Sequence, residues 1–153
     1  MSRVNSILFA TDLSEATKKL VPYVKYLTEK FNAKLYVITV IEEPPDTLLL
    51  YQDLVDLDLS EYEEEFQKEV KGRLDDLVKS SFLDLPQVEA TMLIGTAHKK
   101  IVEFAEKNDV DLIVMGSATK EGFAERLFGK TAIKVVADAP CPVLTINPFK
   151  VEG

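Results

Sequence analysis

Few residues in this chain have the capacity for chemistry. They are one histidine (His98), one cysteine (Cys141), an aspartate at the end of the first apolar run (Asp12), and a Gly-Lys-Thr triplet at 129–131. The triplet ends a loop that opens at Gly116, after the unbroken apolar run Leu112 to Met115. A glycine-bearing loop between a strand and a helix is where α/β proteins hold phosphates. A P-loop requires G-x-x-x-x-G-K-[ST]. Counted back from Gly129, its first glycine belongs where Ala124 stands, and Gly122 is two places too far away. The segment also follows a fourth strand rather than a first, so it is not a Walker motif.

Asp12 has two readings that the sequence leaves open. It can contact a ligand, or it can form a capping box with Glu15 three residues on and start a helix. As a general base for slow ATP hydrolysis it is the one candidate. A phosphoryl-accepting aspartate is excluded, because the third strand ends in Gly95-Thr96 and supplies no acceptor. An ATP-pyrophosphatase loop is excluded by Thr11-Asp12-Leu13-Ser14, where Ser-Gly-Gly is needed. His98 has no second histidine and no cysteine beside it, so neither metal ligation nor a base-and-orienter pair is expected. Cys141, between two prolines, reads as a packed side chain. The acids Glu61 to Glu65 read as a solvated helix face, and no catalytic residue is assigned.

The elements that would position these residues follow from hydrophobic period. Ile7 to Ala10 predicts the first strand. Leu20, Val24, Leu27 and Phe31 predict one face of a helix that tolerates Pro22 near its start and ends at Asn32. Lys34 to Ile41 is a β-branched second strand. Residues 44–60 read as a variable insertion after Pro44-Pro45. A longer helix from about Ser60 carries Tyr62, Phe66, Val70, Leu74 and Leu77. Val88 to Ile94 is a less apolar third strand, expected near an edge. A helix with Ile101, Phe104 and Ala105, a fourth strand from Val110 to Met115, a helix starting near Gly129 with Ile133, Val136 and Ala137, and a last strand from Pro142 to Ile146 complete the chain.

This alternation predicts one α/β domain over residues 1–153: a five-stranded parallel sheet with helices on both faces, in the Rossmann-like manner. In the order 3-2-1-4-5, strands one and four are neighbours where the order reverses, and ligands bind outside the carboxyl ends of the strands at such a point. Asp12 and Gly116 would then share one crevice.

Composition narrows the partners. With 18 Lys plus Arg against 26 Asp plus Glu, the formal charge is −8. That sign argues against nucleic acid or an anionic membrane as the main partner. No apolar run approaches a membrane span, and a single cysteine suits a reducing compartment, so a cytoplasmic location is expected.

Three stretches resemble the universal stress protein family: ILFATDLSE at the start, GTAHKKIVEFAEKNDVDLIVMGS in the middle, and the closing segment through APCPVLTI. The resemblance covers the chain apart from residues 44–60. It implies the same five-stranded sheet, a homodimer pairing its last strands (Pro142 to Ile146), and a stress-response role without a defined reaction. Part of the family binds ATP or AMP through G-x2-G-x9-G-[ST] after the fourth strand, with Mg2+ only alongside ATP. Carried onto this chain, Asp12 and Val40 fall where the adenosine is contacted, and Met115 borders that pocket. Gly116 and Gly129 match the first and third motif glycines.

Two positions depart from the motif. Thr119 replaces the second glycine, and a β-branched residue suits neither positive φ nor close approach to phosphate. Lys130 replaces the final Ser or Thr, with Thr131 offering a hydroxyl one residue later. The expectation is a non-catalytic family member with a degenerate nucleotide crevice. The alternative is a true ATP or AMP switch in which Lys130 and Thr131, at a helix N-terminus, stand in for the lost contacts.

Overall fold

A computed structural model describes residues 3–42, 60–117 and 123–151, with the side chains of 60 and 123–129 left aside. Five parallel strands form one sheet in the order β3-β2-β1-β4-β5, as the alternation predicts. They are β1 (Ser6–Ala10), β2 (Lys34–Ile41), β3 (Val88–Ile94), β4 (Leu112–Gly116) and β5 (Val143–Ile146). The helices are α1 (Val21–Phe31), α2 (Ser60–Ser81), α3 (Ala97–Lys107) and α4 (Phe123–Asp138). Of the insertion expected at 44–60, residues 44–59 lie outside the described residues, and Ser60 is the first residue of α2.

Alternate residues of a strand point to opposite faces, so each strand feeds two cores. Ile7, Phe9, Leu35, Val37 and Val114 pack with Val24 of α1 and with Val70, Leu74 and Leu77 of α2. Leu8, Ala10, Ile38, Ile113 and Met115 pack on the other side with Ile101 and Ala105 of α3 and Ala132 and Val135 of α4. The ring of Phe9 meets that of Phe82 edge-on at 6.3 Å. At the amino ends of the strands, Asp111 Oδ2 accepts the amides of Asn5 at 2.8 Å and Ser6 at 3.2 Å, which sets β1 beside β4.

Four expectations need correction. No capping box forms at Asp12 and Glu15. The chain makes a 3-10 turn at Thr17–Leu20, and α1 starts only at Val21 with Pro22 in its first turn, where a missing amide costs nothing. Glu15 pairs instead with Lys18, at 2.8 Å. Phe31 is 45% exposed, and Thr28 takes the inner position while donating its hydroxyl to the Val24 carbonyl at 2.7 Å. Tyr62 and Phe66 are 69% and 44% exposed. They lie in the first turns of a 22-residue helix, about 33 Å long against about 23 Å for β3, so the core is carried by its later turns. On α4 the inner face is Ala132 and Val135, whereas Ile133 and Val136 are 70% and 56% exposed. Both pairs are apolar at a spacing of three, and packing against α3 selects the first.

The second and third strands have their expected bounds, whereas β4 runs Leu112–Gly116 rather than Val110 to Met115 and the last helix begins at Phe123 rather than near Gly129. Asn32 caps α1 in the left-handed region (φ 52°), as an Asn at C′ allows. β3 is an edge strand with an exposed side, and Gly95 at its end has φ +147° and Lys100 packed against it.

Replacing Leu74, 1% exposed, by alanine is expected to lower unfolding stability by about 2–5 kcal/mol in urea titration. Tyr62→Ala on the same helix should stay within about 0.5 kcal/mol.

Candidate functional site

The order of the sheet reverses between β1 and β4, and a cavity of about 200 Å3 opens there. Its floor is made at the carboxyl ends of three strands: Ala10 of β1 with Thr11 just after it, Ile38 and Val40 from β2, and Met115 from β4. Ala97 and Ile101 of α3 and Thr131 of α4 form its walls, and Asp12 and Glu42 complete it. Four of the residues singled out in the sequence, Asp12, Val40, Met115 and Thr131, therefore meet in one cavity.

Their roles differ. Met115 is 1% exposed and serves as apolar floor. Asp12 is exposed, and its Oδ1 accepts the Ser14 amide at 2.9 Å in an Asx turn. A carboxylate has about four acceptor sites, so this one bond leaves Asp12 able to accept from a ligand hydroxyl or amine. Thr11 anchors the turn from beneath. Its amide donates to the Ile38 carbonyl at 2.9 Å, and its buried hydroxyl meets that of Thr17 at 3.0 Å.

Gly116 is buried at the end of β4, in register with Ile146 of β5, and Ser117 N–H continues the ladder to the Ile146 carbonyl at 2.9 Å. Thr119 lies outside the described residues. Gly129, Lys130 and Thr131 do not begin a helix. α4 starts at Phe123, which places them in its second and third turns. Only the first four amides of a helix lack internal partners, so the backbone at 129–131 is not the anion-binding end that the Gly-Lys-Thr pattern suggested. Thr131 reaches the cavity, and Lys130 is exposed on α4.

Glu42 is a site residue that the motif reasoning missed. Its Oε1 accepts the Ala97 amide at 3.3 Å, so a carboxylate of the chain itself caps α3 where Thr96 makes no side-chain cap. The signal was available, since Glu42 is two residues beyond Val40 and the period of two sends both to one face. His98 is half-buried in the first turn of α3. Among the described residues no group of three metal-ligating side chains occurs. Cys141 is half-buried beside α3 and α4, and burial, with Asp111 adding to it, pushes its thiol pKa up. A thiol so placed is a poorer nucleophile at neutral pH than a free one.

Comparison with known proteins agrees with this fold. The model of the universal stress protein family matches residues 4–147. The chain belongs to that family. Universal stress protein MJ0531 of Methanocaldococcus jannaschii is 33% identical over 150 residues, spanning 95% of this chain and 84% of the relative. The solved structure of the hypothetical protein MJ0577 superposes with a TM-score of 0.75 at 26% identity, covering 94% of this chain and 96% of that one. A universal stress protein from Archaeoglobus fulgidus, solved in complex with dAMP, shares the fold with a TM-score of 0.60 at 16% identity, covering 96% of this chain and 100% of its own.

Proposed function

We propose that this universal stress protein is a non-catalytic, cytoplasmic stress-response protein whose crevice receives the adenosine end of an adenine nucleotide and holds a polyphosphate poorly. The observation that carries the reading is the meeting of Asp12, Val40, Met115 and Thr131 in one cavity at the switch point. A relative with the same fold is solved with dAMP, which supports an adenine nucleotide as the class of occupant. The cavity, at about 200 Å3, lies below the roughly 300–1,000 Å3 of sites that engulf a drug-sized ligand, so it suits a nucleoside better than a triphosphate. Two carboxylates, Asp12 and Glu42, border it. They favour ribose hydroxyls as donors and oppose phosphate charge brought close to them. Thr119, a β-branched residue where the family motif has glycine, acts in the same direction.

Asp12 is the one candidate base for hydrolysis, and its engagement in the Asx turn favours a positioning role. Mg2+ enters this reading only as a companion of ATP. A second reading, a tight-binding nucleotide switch, draws on the Thr131 side chain in the cavity wall. Under that reading nucleotide stays with the protein through purification and Thr131→Val releases it.

A homodimer through β5 belongs to the same proposal. β5 ends the sheet order and leaves Leu144 38% exposed, and α4, packed on β5, exposes Ile133 and Val136. Pairing two such edges across a two-fold axis would cover unpaired backbone and apolar side chains together.

Titration calorimetry is expected to give AMP a dissociation constant of micromolar or weaker, with Mg-ATP no tighter. Submicromolar Mg-ATP binding contradicts the proposal and favours the switch. Light scattering is expected to report a dimer that Leu144→Lys converts to a folded monomer, and a monomeric unaltered protein would remove the dimer.

A further inference from the structure

On the opposite face of the sheet, a cavity of about 450 Å3 opens between the turn after β1 and the helix α2. It has more than twice the volume of the nucleotide crevice, and its size is that of a small-molecule site. Leu13, Val21 and Leu77 give it an apolar wall, and Arg73 and Lys18 stand among them with one acid, Asp76.

The two cations are not equivalent. Lys18 is already paired with Glu15 at 2.8 Å. Arg73 has no carboxylate partner at ion-pair distance among the described residues. Its Nη2 donates to the Leu13 carbonyl at 2.9 Å, and a guanidinium carries five N–H donors in a rigid fork. One bond to a carbonyl orients that fork and leaves the remaining donors for an anion.

The residue it holds is itself unusual. Leu13 has φ +64°, a conformation that a leucine adopts only at a cost and under constraint. Arg73 fixes its carbonyl, and Thr11 Oγ1 accepts its amide at 3.0 Å. The left-handed turn thus brings an apolar side chain and a guanidinium together at one cavity wall. The net charge of −8 opposes anions in general, so an anion is favoured here through direct contact with the guanidinium of Arg73.

We infer that this cavity is a second binding site, taking a small amphipathic anion whose apolar body lies against Leu13, Val21 and Leu77 and whose carboxylate or phosphate head meets Arg73. Charge complementarity assigns the head, and the apolar wall assigns the body. The inference is independent of what occupies the crevice on the other face.

The test is a 15N-resolved NMR titration of the full chain with decanoate, below micelle formation, against decyltrimethylammonium as a cation with the same tail. Decanoate is expected to shift the amides of Leu13, Lys18, Val21 and Arg73 saturably, at least about tenfold more tightly than the cation, as loss of a charged hydrogen bond implies. Arg73→Gln should weaken decanoate by a similar factor. Because Arg73 also supports the turn, Ser80→Phe at the exposed lining of the cavity provides a second variant, expected to block binding in a folded chain. Equal response to both amphiphiles, shifts scattered over the surface, or undiminished binding in Ser80→Phe would overturn the assignment. So would sedimentation with phosphatidylglycerol vesicles without any response to free decanoate, which would make the source a membrane.

Discussion

Strand β1 is the constraint on which the rest depends. All five of its residues are buried, and it is paired on both sides, with β2 in register Ser6 to Lys34 and with β4 in register Ile7 to Leu112. It leaves neither an edge nor a face to water, so every other element is placed relative to it. Burial of this kind accounts for its nearly continuous apolar sequence. It also explains why Asp111 clamps its first amides: a central strand out of register would turn both cores inside out.

The period of two that builds the cores also distributes function at the end of the strand. Leu8 and Ala10 face α3 and α4, and Asp12 continues that side into the crevice. Ile7 and Phe9 face α1 and α2, and Leu13 joins that core and borders the larger cavity. A single turn, stiffened by the Thr11–Thr17 hydroxyl pair and by Arg73, therefore belongs to both sides of the sheet.

The strands and their order were legible in the sequence because their signal is local. The apolar runs at 34–41 and 88–94 have the bounds seen in the fold. The place of the crevice follows from the strand order, and the family resemblance is what singled out Asp12, Val40 and Met115 there, with Thr131 as a stand-in hydroxyl; all four line the one cavity. The misread features are those that distant contacts decide. Asp12 and Glu15 have the spacing of a capping box, but the left-handed Leu13 between them is held by Arg73, sixty residues away in the chain. Ile133 and Val136 have the same spacing as Ala132 and Val135, and only the neighbouring helix selects between them. Gly129-Lys130-Thr131 carries the residues of a phosphate loop inside a helix that begins at Phe123. Glu42 was passed over because a charged residue just after a strand carries no motif, although its parity with Val40 points into the crevice.

In the function proposed for this protein, an adenine nucleotide enters by its nucleoside end at the β1–β4 switch point. A crystal structure of the protein soaked with AMP tests it most directly. Density for the base and ribose is expected between Asp12, Val40 and Thr131, over Met115, with the phosphate directed away from Asp12 and Glu42. Density for AMP elsewhere on the molecule, or a phosphate bound at the backbone of residues 129–131, would contradict it.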